Sequence, residues 1–199
     1  MENKKTLKFV TAGLLAALAF IAFYFLKFPL TLPGGGNVFF HLANAVCVLA
    51  ALLLGGVYGG LAGAVGLTLA DILSGYAIYA PETFFLKLCI GIVTGIIAHK
   101  IGKLSQQKTP KKVFLWTLIA SASGLAFNVI FDPLMNYLYT WLLAGKPAAL
   151  VNLPMEIGVT AFNAAISLVA VVPIYLLLRP ALMKAGLFFI IGEQKDETR

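Results

Sequence analysis

Polar residues interrupt an otherwise apolar chain at spacings that place them on shared helix faces. Asn128, Asp132 and Asn136 recur every four residues, and Asn152, Glu156 and Asn163 fall within about 40° of one another at about 100° per residue. His41 and Asn44 stand three apart, directly after a glycine-rich stretch that ends in Asn37. An ionisable side chain at mid-bilayer costs on the order of 3 kcal/mol or more, so groups of this kind are kept for a reason. Carboxylates accept from a protonated ring or amine, amides bond hydroxyls, and aromatic side chains stack on a flat ring. Two facing polar stripes on adjacent helices therefore point to a water-accessible binding cavity, with helix-packing hydrogen bonds as the alternative.

Each remaining candidate carries two readings. His41 and Asn44, with Asn37 before them, could form a hydrogen-bonding lid over a small molecule or simply cap a helix start. Asp71 could contact a ligand, or satisfy backbone donors or Lys87 in a buried pair. Glu82 suits a helix N-terminus on electrostatic grounds alone. Lys87, one turn inside the same helix, either enters the site or snorkels to the outer interface. Tyr76, Tyr79 and Phe84, like Phe39, Phe40, Tyr137, Tyr139 and Trp141, could stack on a ring or populate an interfacial belt.

These side chains must be positioned by membrane-spanning helices. The chain has 199 residues, 60% of them hydrophobic and 12% charged, against roughly 25% charged in a soluble domain. Mean hydropathy is +0.93, too apolar for a soluble globular fold. The net charge of +7 is localised: twelve of the fifteen Lys and Arg residues lie at the N-terminus, in the loop 100–112 and toward the C-terminus. That distribution is positive-inside topology and not a nucleic-acid patch. Apolar runs over about 7–28, 41–56, 59–75, 83–99, 113–143 and 152–178 predict an all-α integral membrane protein of six transmembrane helices with both termini cytoplasmic. Pro29 and Gly34 to Gly36 open an outer loop, Gly55 to Gly60 form a tight turn, and Asp132-Pro133 kinks or breaks the fifth run. The whole of 1–199 reads as a single membrane domain, with 192–199 as a frayed tail. Cys47 and Cys89, inside apolar runs, read as small buried hydrophobes.

The sequence carries no phosphate-binding P-loop, no metal-ligand spacing and no nucleophile elbow. An enzyme is disfavoured; an intramembrane enzyme using Asp71, Asp132 and Glu156 is the alternative reading. In the first run Ala12 with Ala16, and Gly13 with Ala17, form small-xxx-small pairs that permit close helix approach.

One order of features resembles a known family. His41-Leu42 with Asn44-Ala45, the Gly55 to Gly66 segment, Leu69-Ala70-Asp71-Ile72-Leu73-Ser74-Gly75-Tyr76, and Ala80-Pro81-Glu82-Thr83-Phe84 with Lys87 look like the S component of energy-coupling factor (ECF) transporters. The resemblance is to the vitamin-uptake group that includes riboflavin, pyridoxine and hydroxymethylpyrimidine S components. It implies a multi-pass subunit of a prokaryotic plasma membrane that captures a small molecule from outside, in the outer halves of helices 4 to 6 and the loops after helices 1, 3 and 5. It also implies docking through the face of helix 1 bearing Ala12 and Ala16 onto a transmembrane T component carried by two ATPases, then toppling and inward release. The chain itself would bind no cofactor, ATP and Mg being used by the partner subunits. The ligand expected from the residues is a vitamin B6 form such as pyridoxine, then hydroxymethylpyrimidine, then riboflavin. Its contacts would come from Asn37, His41, Asn44, Tyr76, Tyr79, Phe84, Lys87, Asn128, Asp132, Asn152, Glu156 and Asn163.

Overall fold

The computed structural model describes residues 2–184, with side chains from residue 5 onward; the 192–199 tail lies outside the described residues. Six α-helices follow one another: α1 (Glu2–Tyr24), α2 (Ala43–Leu54), α3 (Gly56–Leu73), α4 (Ala80–Gly95), α5 (Pro110–Ala144) and α6 (Lys146–Lys184). Among the described residues five helices are long and apolar enough to cross a bilayer, and α2 is a shorter apolar helix. With 12 residues, α2 rises only about 18 Å, less than the ~30 Å hydrocarbon core. It is buried along nearly its whole length, between α1, α3, α4 and α6. The longer helices turn apolar side chains outward: Leu142, Val169 and Leu177 are 82%, 76% and 75% exposed, as suits contact with lipid tails.

Glycines let α3 pack closely against three neighbours. Gly63 sits on the Cys47 side chain of α2, where a Cβ would approach Sγ to 2.6 Å, and Gly59 lies against the Ala50 and Ala51 backbone. Gly66 meets Ala16 and Ala19 of α1, while Gly56 and Gly60 face Gly95 and Gly91 of α4. Contacts of this kind hold helices together in lipid, where burial of apolar surface gives no net drive. The expected turn over Gly55 to Gly60 therefore contracts to one residue. Gly55, at φ 84°, makes the reversal, and the other three glycines are helical packing positions.

The outer loop differs from expectation in having regular structure. Strands β1 (Phe28–Thr31) and β2 (Asn37–Phe40) form an antiparallel hairpin, pairing Phe28 with Phe40 and Thr31 with Asn37. Gly35 and Gly36, at φ 92° and 84°, supply the positive-φ turn. The hairpin ends before α2, so His41 precedes that helix and does not share a helical face with Asn44. Asp132-Pro133 does not break the fifth run either: α5 is continuous over 35 residues with Pro133 inside it. Helix α4 is extended by a π-helical turn over Ile96–Ile101, and His99 from that turn lies 3.2 Å from the Ala51 carbonyl near the end of α2.

Helix α1 divides its small residues between two faces. Ala12 and Ala16 turn inward and pack against the core, with the Ala16 carbonyl against Gly66. Gly13 and Ala17 are exposed, beside exposed Phe9, Val10, Leu14 and Ile21.

Candidate functional site

The polar residues converge on a cavity of about 110 Å³ beneath the hairpin. Its walls come from α1, β2, α3, the 76–79 turn, α4, α5 and α6. One wall is aromatic: Phe23, Phe39, Tyr76 and Tyr79. The opposing side chemistry is polar and arranged around an ion pair between buried Lys87 and partly buried Asp132. Lys87 Nζ donates to Asn128 Oδ1 at 2.9 Å and lies 3.4 Å from Asp132 Oδ1. Thr160 donates to Asp132 Oδ2 at 3.1 Å, so the carboxylate is held from both α4 and α6. Lys87 is 5% exposed, which excludes snorkelling to the interface. A second carboxylate, Asp71, enters from the end of α3, and its Oδ2 accepts from Thr83 at 2.6 Å. Thus Asp71 is paired with a hydroxyl, and the lysine that the sequence offered as its partner serves Asp132.

Asn152 and Asn163 act on the hairpin backbone with both ends of their amides. Asn152 Oδ1 accepts from Gly34 N at 2.7 Å and its Nδ2 donates to Gly35 O at 3.1 Å. Asn163 Oδ1 accepts from His41 N at 3.1 Å and its Nδ2 donates to Phe39 O at 2.8 Å. One stripe of α6 thereby clamps the loop that roofs the cavity. These bonds satisfy backbone groups that lie away from any helix ladder, a need as strict in a membrane as in a soluble core. Gly34 is seated tightly there, since a Cβ would come within 2.6 Å of the Ala148 carbonyl.

Of the residues singled out from sequence, Asn37, His41, Tyr76, Tyr79, Lys87, Asp132 and Asn163 line the cavity. Asn44, Phe84, Asn128, Asn152 and Glu156 are not part of its lining. Asn128 reaches the cavity through Lys87, and Asn152 through the hairpin tip. Glu82 and Glu156 are buried, and each has an Oε2 without a hydrogen-bond partner. The wall also contains Thr83, Asn136 and Thr160, which were not among the expected ligand contacts. Thr160 was legible in principle, because it lies four residues after Glu156 and three before Asn163 on the same face. Phe23 gave no signal, being one apolar residue among many in α1.

The cavity combines an aromatic wall with a lysine, two carboxylates, three amides and two threonine hydroxyls, groups that can stack on a flat ring and hydrogen-bond its polar substituents. Beyond the end of α1, Lys27 packs outside this wall and donates to Ser74 Oγ at 2.6 Å. Partial burial lowers its pKa from the ordinary lysine value, and the Asp71 charge opposes that shift.

The family model described as ECF-type riboflavin transporter, S component, matches residues 3–180. No curated protein matches the chain. The match takes in all six helices except the end of α6, together with the hairpin and every residue of the cavity wall. The chain belongs to the S components of ECF transporters and is a vitamin-capturing membrane transport subunit, not an enzyme.

Proposed function

We propose that this subunit binds a vitamin B6 form such as pyridoxine in the cavity under the hairpin. The supporting observation is the size and lining of that cavity. A space of about 110 Å³ with one aromatic wall and polar groups around it suits a compact single ring with polar substituents. The ring would stack on Tyr76 and Phe39 and turn its hydroxyls and ring nitrogen toward Lys87, Asp71 and Asp132. Hydroxymethylpyrimidine is of similar size and comes next. Riboflavin, a larger three-ring compound, is the second reading, favoured by the description of the matching family. Isothermal titration of the purified subunit with the three compounds tests this. Sub-micromolar binding of pyridoxine with weaker binding of riboflavin is the expected result, and the reverse order overturns the ligand assignment.

The chain would act as one membrane domain with six crossings and both ends on the cytoplasmic, lysine-rich side. Buried α2 would complete its crossing with the non-helical residues before it. Transport would require a T component and two ATPases that use ATP and Mg; the subunit would bind no cofactor, and ligand release would follow toppling in a prokaryotic plasma membrane. Docking would use the Gly13 and Ala17 face of α1 and not Ala12 and Ala16, because the outward pair is free to meet a partner helix. Ala17→Trp is expected to abolish co-purification with the T component while vitamin binding by the isolated subunit is unchanged. Normal co-purification of the Ala17→Trp variant would remove this face from the interface.

A further inference from the structure

Lys27 stands at a seam between two spaces. Below it is the cavity; above it an open depression of about 650 Å³ is lined by Lys27, Thr31, Leu73 and Ser74 among others. Asn37, Phe39 and Tyr76 belong to both linings, so these three side chains are the partition. Asn37 Nδ2 donates to the Tyr76 hydroxyl at 3.4 Å, and the Phe39 and Tyr76 rings meet edge-on with centroids 5.1 Å apart.

The Lys27 ammonium joins every element that meets there. It lies 4.5 Å from the Phe23 ring centroid on α1, 4.8 Å from Phe39 on β2 and 5.3 Å from Tyr76 in the turn after α3. All three are within cation–π range, and the bond to Ser74 fixes the ammonium to that same turn. The amide clamps of Asn152 and Asn163 hold the hairpin to α6 on its other side. The α6 side is therefore secured by short hydrogen bonds to the hairpin backbone, whereas the α1 and α3 side is held by edge-on ring contacts, the long Asn37–Tyr76 bond and one cation, Lys27, that touches all three of its rings.

We propose that Lys27 is a latch that holds the hairpin strand β2 against the turn after α3, and that releasing it opens the passage from the outer depression to the cavity. Lys27 is a positioning residue: it lies outside the cavity wall and acts through Phe39 and Tyr76. The passage is the seam between β2 and residues 74–76, and the hairpin swings on its α6 attachment. The inference rests on the cavity being the ligand site, but its test needs no ligand.

The experiment is hydrogen–deuterium exchange on the purified full chain, comparing the natural protein with Lys27→Met and Lys27→Arg. Methionine keeps the length and apolar stem and removes the cation, whereas arginine keeps a cation that stacks on the same rings. In Lys27→Met the backbone amides of 28–40 are expected to exchange about tenfold faster, with those of α5 and α6 unchanged. In Lys27→Arg they should stay within about threefold of the natural protein. Unchanged exchange over 28–40 in Lys27→Met would overturn the proposal, as would acceleration spread evenly through all helices. Failure of vitamin binding in a titration would leave this result intact and would bear on the ligand assignment alone.

Discussion

Lys87→Met is expected to weaken vitamin binding by about 100-fold or more and to destabilise the protein as well. The lysine is the cationic centre of the cavity, bonded to Asn128 and paired with Asp132 among helices α4, α5 and α6. Removing it leaves Asp132 and Asp71 facing one low-dielectric space without a compensating charge on α4. Loss of one partner from a buried pair costs about 3–5 kcal/mol, mostly through the charge left behind. The double variant Lys87→Met with Asp132→Leu separates the two effects. It should recover much of the lost thermal stability, because Asp132 is removed with its partner while Asp71 keeps its bond from Thr83, and still fail to bind ligand. Thermal unfolding and titration of the same preparations give both readouts; full recovery of binding in the double variant would show that the ion pair is structural only.

Gly91→Leu is expected to prevent folding into the bundle. A Cβ at Gly91 would fall on the Gly60 backbone of α3, so no rotamer change can relieve the clash. The helices would have to separate, and with them the lines of contact that Gly56 makes to Gly95 and Gly60 to Leu88. Over-packing a close backbone contact generally costs more than the about 1–3 kcal/mol typical of an extra methylene among side chains. The α3–α4 pair also carries Asp71 and Thr83 into the cavity, so the site would be lost with the packing. Size-exclusion behaviour and thermal unfolding in detergent report the outcome. Gly13→Leu is the matched control: nothing lies within 4 Å of a Cβ there, and it should fold normally.

How much of this was legible in the sequence depends on what each residue type advertises. Charged and amide residues in an apolar chain announce themselves, and the stripes of α5 and α6 did meet at one place. Their division of labour was not legible. Asn152 and Asn163 have the spacing of ligand contacts, yet both bond to the hairpin backbone, a partner more than 100 residues away in sequence. The hairpin was hidden because Pro29, Pro33 and three consecutive glycines read as a loop, and four-residue strands leave little alternation to detect. The glycines after Gly55 carry a turn signal although their role is close packing; turn and contact glycines look alike until neighbouring helices are in place. Pro133 carried a helix-breaking signal that the tertiary structure overrides, since α5 continues through it. Lys27 carries no spacing signal in the sequence, and only its neighbours Phe23, Phe39 and Tyr76 give it a role. In α1 the two small-residue pairs differ by one position, and 100° of rotation decides which faces the core.

The capture of a vitamin in the space between the aromatic wall and the Lys87–Asp132 pair is tested most directly by filling that space. Thr160 lines it from α6, so Thr160→Phe would project a ring into the cavity while leaving α6 helical. Equilibrium titration of the purified natural protein and of Thr160→Phe with pyridoxine, hydroxymethylpyrimidine and riboflavin should show one-site, sub-micromolar binding of at least one compound to the first and none to the second. Full binding of that compound by a folded Thr160→Phe variant would place the vitamin elsewhere in the molecule.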